Sequence, residues 1–256
     1  MEFSCLASGS SGNCFYVEEG KDSFLFDVGI SAKQVVERLS FLGRDIGNLK
    51  GIFVSHEHTD HIRGVDVLAR KLNIPIFTTK GTAKNSFLCS QTNLINTLGL
   101  KDIFTFNNLK IRLVSKSHDA EEPVSFIVES NKKTLSILTD IGYGCKNIID
   151  AISKSDSIIL ESNHDIDLLK NGKYPYFLKK RILSEKGHLS NFNAGLLLLE
   201  HAKSQLNNVV LSHLSQENNT PDLAMDTISN LIKERKDLSP KISLSGRKTP
   251  SSLFKI

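Results

Sequence analysis

Short apolar runs, each closed by Gly, Asn, Asp or Ser, punctuate the start of the chain. Phe3 to Ala7, Cys14 to Glu18 and Ser23 to Val28 predict three strands, joined by Ser8-Gly9-Ser10-Ser11-Gly12-Asn13 and by Glu19-Gly20-Lys21-Asp22. Helical spacing follows: Ser31 can cap a helix over Ala32 to Leu42, with Val35, Val36 and Leu39 on one face. Gly51 to Ser55 reads as a strand, followed by a polar loop, a helix from about His61 to Leu72, a short strand at Ile74 to Thr78 and a helix over Thr82 to Cys89. Leu109 to Ser115, Val124 to Glu129 and Thr134 to Thr139 are strands, and Ile148 to Ser153 is a short helix. The remainder alternates: strand Ser157 to Glu161, a helix over Phe192 to Lys203 capped by Ser190, strand Asn208 to Ser212, helix Pro221 to Lys236, strand Lys241 to Ser245. There is no repeat or low-complexity linker. The pattern is that of an α/β chain, two sheets between outer helices, expected as one domain over residues 1–256.

Composition narrows the setting. With 256 residues and 39% hydrophobic content, the chain can bury a full core. No run of 18 apolar residues occurs, so no membrane span is expected, and Met1-Glu2-Phe3-Ser4-Cys5 does not resemble a secretory leader. Cys5, Cys14, Cys89 and Cys145 form no Cys-x-x-Cys pair; they read as thiols of a reducing, cytoplasmic compartment. A net charge of +4 favours an anionic substrate only mildly. Oligomeric state is left open.

The run His56-Glu57-His58-Thr59-Asp60-His61 changes the picture most, since it gathers three of only eight histidines after an apolar strand. Imidazole and carboxylate are the usual donors for catalytic zinc and similar ions. His56 and His58, two apart, do not share a helical face but suit a tight loop with both rings turned to one ion. Asp60 and His61 then open a helix and can face a second. A solvated polar turn is the other reading. Further candidate ligands follow predicted strands: His118 after Leu109 to Ser115, Asp140 after Thr134 to Thr139, His213 after Asn208 to Ser212. Strand ends on one sheet edge are natural places to collect ligands from distant parts of a chain.

Several segments carry a family resemblance: Ser8-Gly9-Ser10-Ser11-Gly12-Asn13-Cys14, Phe26-Asp27-Val28-Gly29, His56 to His61, Ser117-His118-Asp119 through Pro123, and Thr139-Asp140-Ile141-Gly142. Leu160-Glu161-Ser162-Asn163-His164-Asp165, Gly187-His188-Leu189-Ser190 and Leu211-Ser212-His213-Leu214-Ser215 extend it to residue 215. With these the chain resembles the metallo-β-lactamase fold superfamily, and more narrowly its WalJ/YycJ-type branch of metal-dependent hydrolases. The resemblance implies a four-layer αβ/βα sandwich. It implies His56, His58 and His118 as ligands of one ion, Asp60, His61 and His213 as ligands of a second, and Asp140 as the carboxylate that bridges them. Two such ions, about 3.5–4 Å apart, would hold a bridging water whose pKa falls to roughly 7. Zn²⁺, Mn²⁺ and Fe²⁺ all suit His/Asp sites. Asp27 is expected to orient the histidine loop, with a turn-forming Asp as the alternative. His188 matches a histidine that assists the leaving group, so Asp60 and His188 are taken as the catalytic pair. His164 either touches substrate or orders a ligand, or is structural. His58 stands where oxygen-reducing diiron relatives carry Glu, which favours hydrolysis.

For substrate, the segment Lys170-Asn171-Gly172-Lys173-Tyr174-Pro175-Tyr176-Phe177-Leu178-Lys179-Lys180-Arg181 interleaves cations with aromatics, as single-strand nucleic-acid binders do. Lys179, Lys180 and Arg181 are the expected phosphate contacts; a solvated helix face over buried tyrosines explains the same residues. The reading is a phosphodiesterase for DNA or RNA ends, a 5′→3′ exonuclease. Hydrolysis of a small ester, thioester or cyclic phosphodiester is the alternative.

Overall fold

The computed structural model describes all 256 residues, whose packing separates two compact units. Residues 1–113, 120–124 and 245–255 make the first; residues 114–119, 125–244 and 256 make the second. The chain opens with β1 (Glu2–Ala7), β2 (Cys14–Glu19), β3 (Asp22–Phe26), helix α1 (Ala32–Phe41), β4 (Leu49–Phe53), α2 (Thr59–Ile62) and α3 (Val65–Leu72). Then come β5 (Ile76–Thr78), α4 (Lys80–Asn85), β6 (Ile95–Thr97) and β7 (Ile103–Phe106). Strand β8 (Leu109–Ser115) leads into the second unit, with β9 (Val124–Ser130), β10 (Lys133–Leu138), α5 (Lys146–Lys154) and β11 (Ser157–Glu161). Helices α6 (Ile166–Asn171), α7 (Tyr176–Ile182) and α8 (Asn191–His201) precede β12 (Asn208–Ser212), α9 (Pro221–Ile232) and β13 (Lys241–Leu244). Finally β14 (Phe254–Lys255) returns to the first unit and pairs antiparallel with β1, Phe254 opposite Phe3.

Both seven-stranded sheets are mixed. The first runs β14-β1-β2-β3-β4-β5-β6 and turns parallel from β3 onward. Because Phe26 pairs with Phe53 in parallel register, β3 and β4 end side by side, and Asp27 and the histidine run leave from one edge. The second runs β13-β12-β11-β10-β9-β8-β7 and is parallel from β10 to β13. There Leu138 pairs with Leu160 and Glu161 with Ser212, so Asp140, Glu161 and His213 also gather at one edge. Carboxyl ends of parallel strands are where α/β sheets place their ligands.

In the first unit, Leu25, Ile52 and Ile76 pack on Val35 and Leu39 of α1 and on Val65, Leu68 and Ala69 of α3. Strand alternation sends Phe24, Phe26, Phe53 and Phe77 to the opposite face. There Phe53 stacks on Phe26 and Phe77, with centroids 5.2 and 4.9 Å apart, while Phe104 of β7 meets Phe24, Phe53 and Phe77. In the second unit, Ile158, Leu160, Val209 and Leu211 lie under Ile148 and Ile152 of α5, Leu198 of α8 and Ile228 of α9.

Some expected boundaries move, for local reasons. The helix expected over His61 to Leu72 is two, α2 and α3, separated at Gly64, where a Cβ would come within 2.0 Å of the Ile30 carbonyl oxygen. Strand β3 stops at Phe26 because Asp27 turns left-handed (φ +60°) and gives its N–H to the Phe53 carbonyl. The helix expected over Thr82 to Cys89 is α4, capped by the Thr79 hydroxyl and finished by Asn85. The caps foreseen at Ser31 and Ser190 are present, Ser31 in a full capping box with Gln34. No helix is long and apolar enough to cross a membrane.

Candidate metal centre

In the first unit one buried carboxylate organises the histidine loop. Asp27 accepts hydrogen bonds from the Ser55 amide (2.7 Å), the Ser55 hydroxyl (2.8 Å) and His61 Nδ1 (2.7 Å). Ser55 Oγ in turn lies 2.8 Å from His56 Nδ1 and serves as its acceptor. With both Nδ1 atoms protonated and held, His56 and His61 present their Nε2 lone pairs, the tautomer a metal ligand needs. His56 Nε2 lies 3.1 Å from His58 Nδ1, so two imidazoles of the loop bring nitrogens together. Asn13 completes the arrangement: its side-chain N–H groups reach Asp60 Oδ2 (3.2 Å) and His61 Nε2 (3.1 Å), while its Oδ1 accepts from the Gly9 amide. The Ser8 to Asn13 turn is thus tied to the ligand loop.

In the second unit the node is Glu161, fully buried at the end of β11. Its Oε2 accepts the Ile141 and Leu189 amides (2.7 and 3.2 Å); its Oε1 accepts Nδ1 of His188 and of His213, both at 2.8 Å. Burial works to raise the Glu161 pKa, but the neighbouring His188 and the hydrogen bonds from both imidazoles outweigh it and hold it at about 2. Asp140 Oδ1 lies 3.4 Å from His213 Nδ1 and 3.9 Å from both His188 Nδ1 and His118 Nε2. His118 gives its Nδ1 to the Gly187 carbonyl (3.2 Å), and burial pushes its pKa down to about 4 against the pull of Asp140, which keeps it neutral. Asp140, Glu161, His188 and His213 each turn one donor atom inward, all within 4.8 Å of one another.

Three residues of these clusters stand in the left-handed region although none is glycine: Asp27 (φ +60°), Asp140 (φ +54°) and His213 (φ +55°). Each sits just past a strand end, where this conformation swings the side chain off the strand line. Such strain costs of order 1 kcal/mol per residue and gathers at functional sites.

The remaining expected residues divide. His164 is 1% exposed, bridged through its backbone to Ser190, with Nδ1 3.4 Å from Asn163 Oδ1. Asn163 donates to the His213 carbonyl, so His164 belongs to the polar layer behind that residue. Arg181 is committed to Asp119 (2.5 and 2.6 Å) and Lys179 to the Lys170 carbonyl (2.8 Å); of the three expected phosphate contacts, only Lys180 combines exposure with the absence of such a bond. The reading of that segment as a helix face over buried tyrosines fails at Tyr176, which is 81% exposed. Sequence reasoning missed the roles of Glu161, Ser55 and Asn13. For Glu161 a signal existed: an acidic residue closing the otherwise buried strand Ser157–Glu161.

Neutral imidazoles held through one nitrogen, beside carboxylates, fit a divalent cation of intermediate hardness. Mixed sheets that each end in such a cluster are the setting of a metal-dependent enzyme. Residues 7–139 match the family model of the metallo-β-lactamase superfamily. Over 243 residues the chain is 33% identical to the exodeoxyribonuclease YycJ of Bacillus anthracis, covering 92% of this chain and 90% of that one. It is 35% identical over 243 residues to the exodeoxyribonuclease WalJ of Streptococcus pneumoniae, covering 91% and 89%. The crystal structure of YhfI from Bacillus subtilis superposes with a TM-score of 0.70 at 14% identity, over 98% of both chains, a likeness of fold. The chain therefore belongs to the metallo-β-lactamase superfamily and, within it, to the WalJ/YycJ-like branch.

Proposed function

We propose that this enzyme is a metal-dependent nuclease that shortens a DNA or RNA strand from its end, with 5′→3′ polarity. The observation that carries the reading is His188, partly exposed and fixed through Nδ1 on Glu161. Cleavage of a phosphodiester expels a poor alkoxide leaving group that needs a proton on its oxygen as the P–O bond breaks; a thiolate leaving from a thioester does not. An imidazole anchored at one nitrogen carries the proton of the other toward that oxygen. Kinship supports the same substrate class, both relatives being named as exodeoxyribonucleases.

Two divalent ions are proposed, Zn²⁺ or Mn²⁺ with Fe²⁺ as third candidate: one on His56, His58 and His118, the other on Asp60, His61 and His213, with Asp140 shared. When bound, such ions supply Lewis acidity and an activated water. The chain's own groups do the rest. Asp27 and Ser55 fix the tautomers of His61 and His56, Glu161 fixes His213, and Asn13 steadies Asp60, which serves both binding and catalysis. The two units are proposed to act as one catalytic domain. A cytoplasmic setting agrees with four free thiols, two of which, Cys5 and Cys14, burial pushes far above the usual range.

The test is turnover of metal-stripped protein, re-supplied with each ion, on 5′- and 3′-labelled oligonucleotides, lactams and thioesters. Release of nucleotides from the 5′ end is expected, with about two ions per chain in wild type and fewer in Asp140→Ala. Faster cleavage of a thioester or lactam than of any oligonucleotide would install the small-ester alternative.

A further inference from the structure

Helix α7 is an anomaly in the second unit: none of its seven residues is buried. At its start Tyr176 and Phe177 are 81% and 73% exposed, and Leu183 just beyond its end is also exposed. Water-exposed rings on a helix too short to be stable alone are costly unless they meet something. The charge is as uneven. Residues 170–186 hold Lys170, Lys173, Lys179, Lys180, Arg181 and Lys186 against the single acid Glu185, a net +5 in a chain whose total is +4. The rest of the protein is therefore slightly negative, and its positive excess resides on one short segment.

That segment is coupled to the candidate site. The His188 amide donates to the Ile182 carbonyl (3.0 Å), so the last turn of α7 runs directly into the proposed proton donor. Arg181 grips Asp119, next to His118. The Ser117 hydroxyl donates to the Glu185 carbonyl (2.6 Å), and Gly142, two residues past Asp140, abuts that same carbonyl so closely that a Cβ would lie 1.8 Å from it. The helix thus rests on the loops that carry His118, Asp140 and His188.

We propose that α7 is the ledge on which the substrate strand lies, with Lys173 and Lys180 against its phosphates and the rings of Tyr176 and Phe177 against unpaired bases. This rests on the nuclease reading and adds that the enzyme grips a strand whose bases are unstacked from a complement. The occupant follows from the chemistry of the patch. Cations alone would hold any polyanion, including a duplex, but exposed ring faces gain only from a partner with an open π-face, which a duplex offers only at its terminal pair. Arg181 and Lys179 take no part: their bonds to Asp119 and the Lys170 carbonyl brace the ledge.

The experiment compares binding of a hydrolysis-resistant phosphorothioate oligonucleotide with an abasic strand of equal length, by anisotropy, for metal-loaded wild type and the variant Tyr176→Ser/Phe177→Ser. Both sites are exposed, so the fold is expected to survive; an unchanged melt and unchanged metal content check this, and bis-p-nitrophenyl phosphate serves as the small diester for wild type. Wild type should prefer the base-bearing strand, and the variant should lose roughly tenfold or more of that affinity per ring while holding the abasic strand as before. Lys173→Ala/Lys180→Ala should weaken both strands and flatten the salt dependence. Unchanged affinity of the ring variant for the base-bearing strand would overturn the ledge and leave α7 as a face for another protein, as would equal losses on both strands. If wild type hydrolyses the small diester but neither binds nor cleaves any oligonucleotide, the nuclease reading falls and the ledge with it. Normal oligonucleotide cleavage with an insensitive ring variant removes the ledge alone.

Discussion

Replacing Asp27 by Asn isolates the control of histidine tautomers from everything else Asp27 does. Asn tolerates the left-handed backbone at this position, so the turn should persist. The amide oxygen can still accept the Ser55 N–H in place of Oδ1. The amino group, however, replaces the Oδ2 that accepts His61 Nδ1 and the Ser55 hydroxyl, and it can only donate. His61 must then carry its proton on Nε2, which removes the lone pair from the ligand side. Losing an anchor of this kind weakens metal binding by about 10- to 100-fold, or about 1.4–2.7 kcal/mol. The loss should fall mainly on the ion proposed at His61, since His56 keeps the Ser55 hydroxyl as its Nδ1 acceptor. Competition titration of metal-free protein against a chromophoric chelator reads both affinities. If Asp27→Asn binds both ions like wild type and loses only thermal stability, Asp27 is a turn residue and the orienting role is wrong.

Other outcomes can be stated briefly. His188→Ala should cost roughly 10²–10⁴ in rate with metal content unchanged; a drop in bound metal would make His188 a ligand, as its place within 4.8 Å of the Asp140, Glu161 and His213 donors permits. Gly29→Ala would put a Cβ 1.6 Å from the Asp60 carbonyl, which the Asn13 amide also binds. It should destabilise by about 1–3 kcal/mol or more and reduce metal uptake, and an unaltered melting temperature would contradict that packing. Burial holds His164 down at about 4, below its unfolded value of about 6.5. The unfolded chain therefore takes up a proton that the folded one refuses, and this group's stabilisation, intact above pH 6.5, is lost as pH falls toward 4. In urea unfolding of metal-free protein, the wild-type advantage over His164→Gln should shrink by roughly 2 kcal/mol between pH 6.5 and 5; a gap that does not change with pH would refute it.

The strands were legible because their burial is written in composition: Ser157–Glu161 and Asn208–Ser212 are buried throughout and read as apolar runs. The helices with polar caps were legible for the same local reason. What escaped was tertiary. Strand β6 is three residues whose pairing with β5 does more to define it than its sequence, and β7 exists because Phe104 completes a ring cluster built by β3, β4 and β5. Helix α7 leaves no buried stripe to read, since it buries nothing, and the six-residue α6 buries Leu169 alone. The metal-type residues announced themselves by rare chemistry in a dense motif. Their anchors did not: Ser55, Asn13 and Glu161 are common residue types whose meaning appears only when a hydrogen-bond partner more than 25 positions away is in view.

The pairing of β14 with β1 sets a clock on biosynthesis. Phe3 stacks on Phe254 at 5.1 Å, the Cys5 amide donates to the Ser251 hydroxyl, and the Ser251 amide donates to the Cys5 carbonyl. The outer edge of β1 is thus closed by a segment about 250 positions further along the chain. At typical translation speeds of about 5–20 residues per second, that edge stays open for roughly 12–50 s while the intervening residues emerge. An open strand edge is a template for any other extended chain. Neighbouring ribosomes on one message present many copies of it at once, so the yield of this enzyme depends on what shields residues 2 to 7 during that interval.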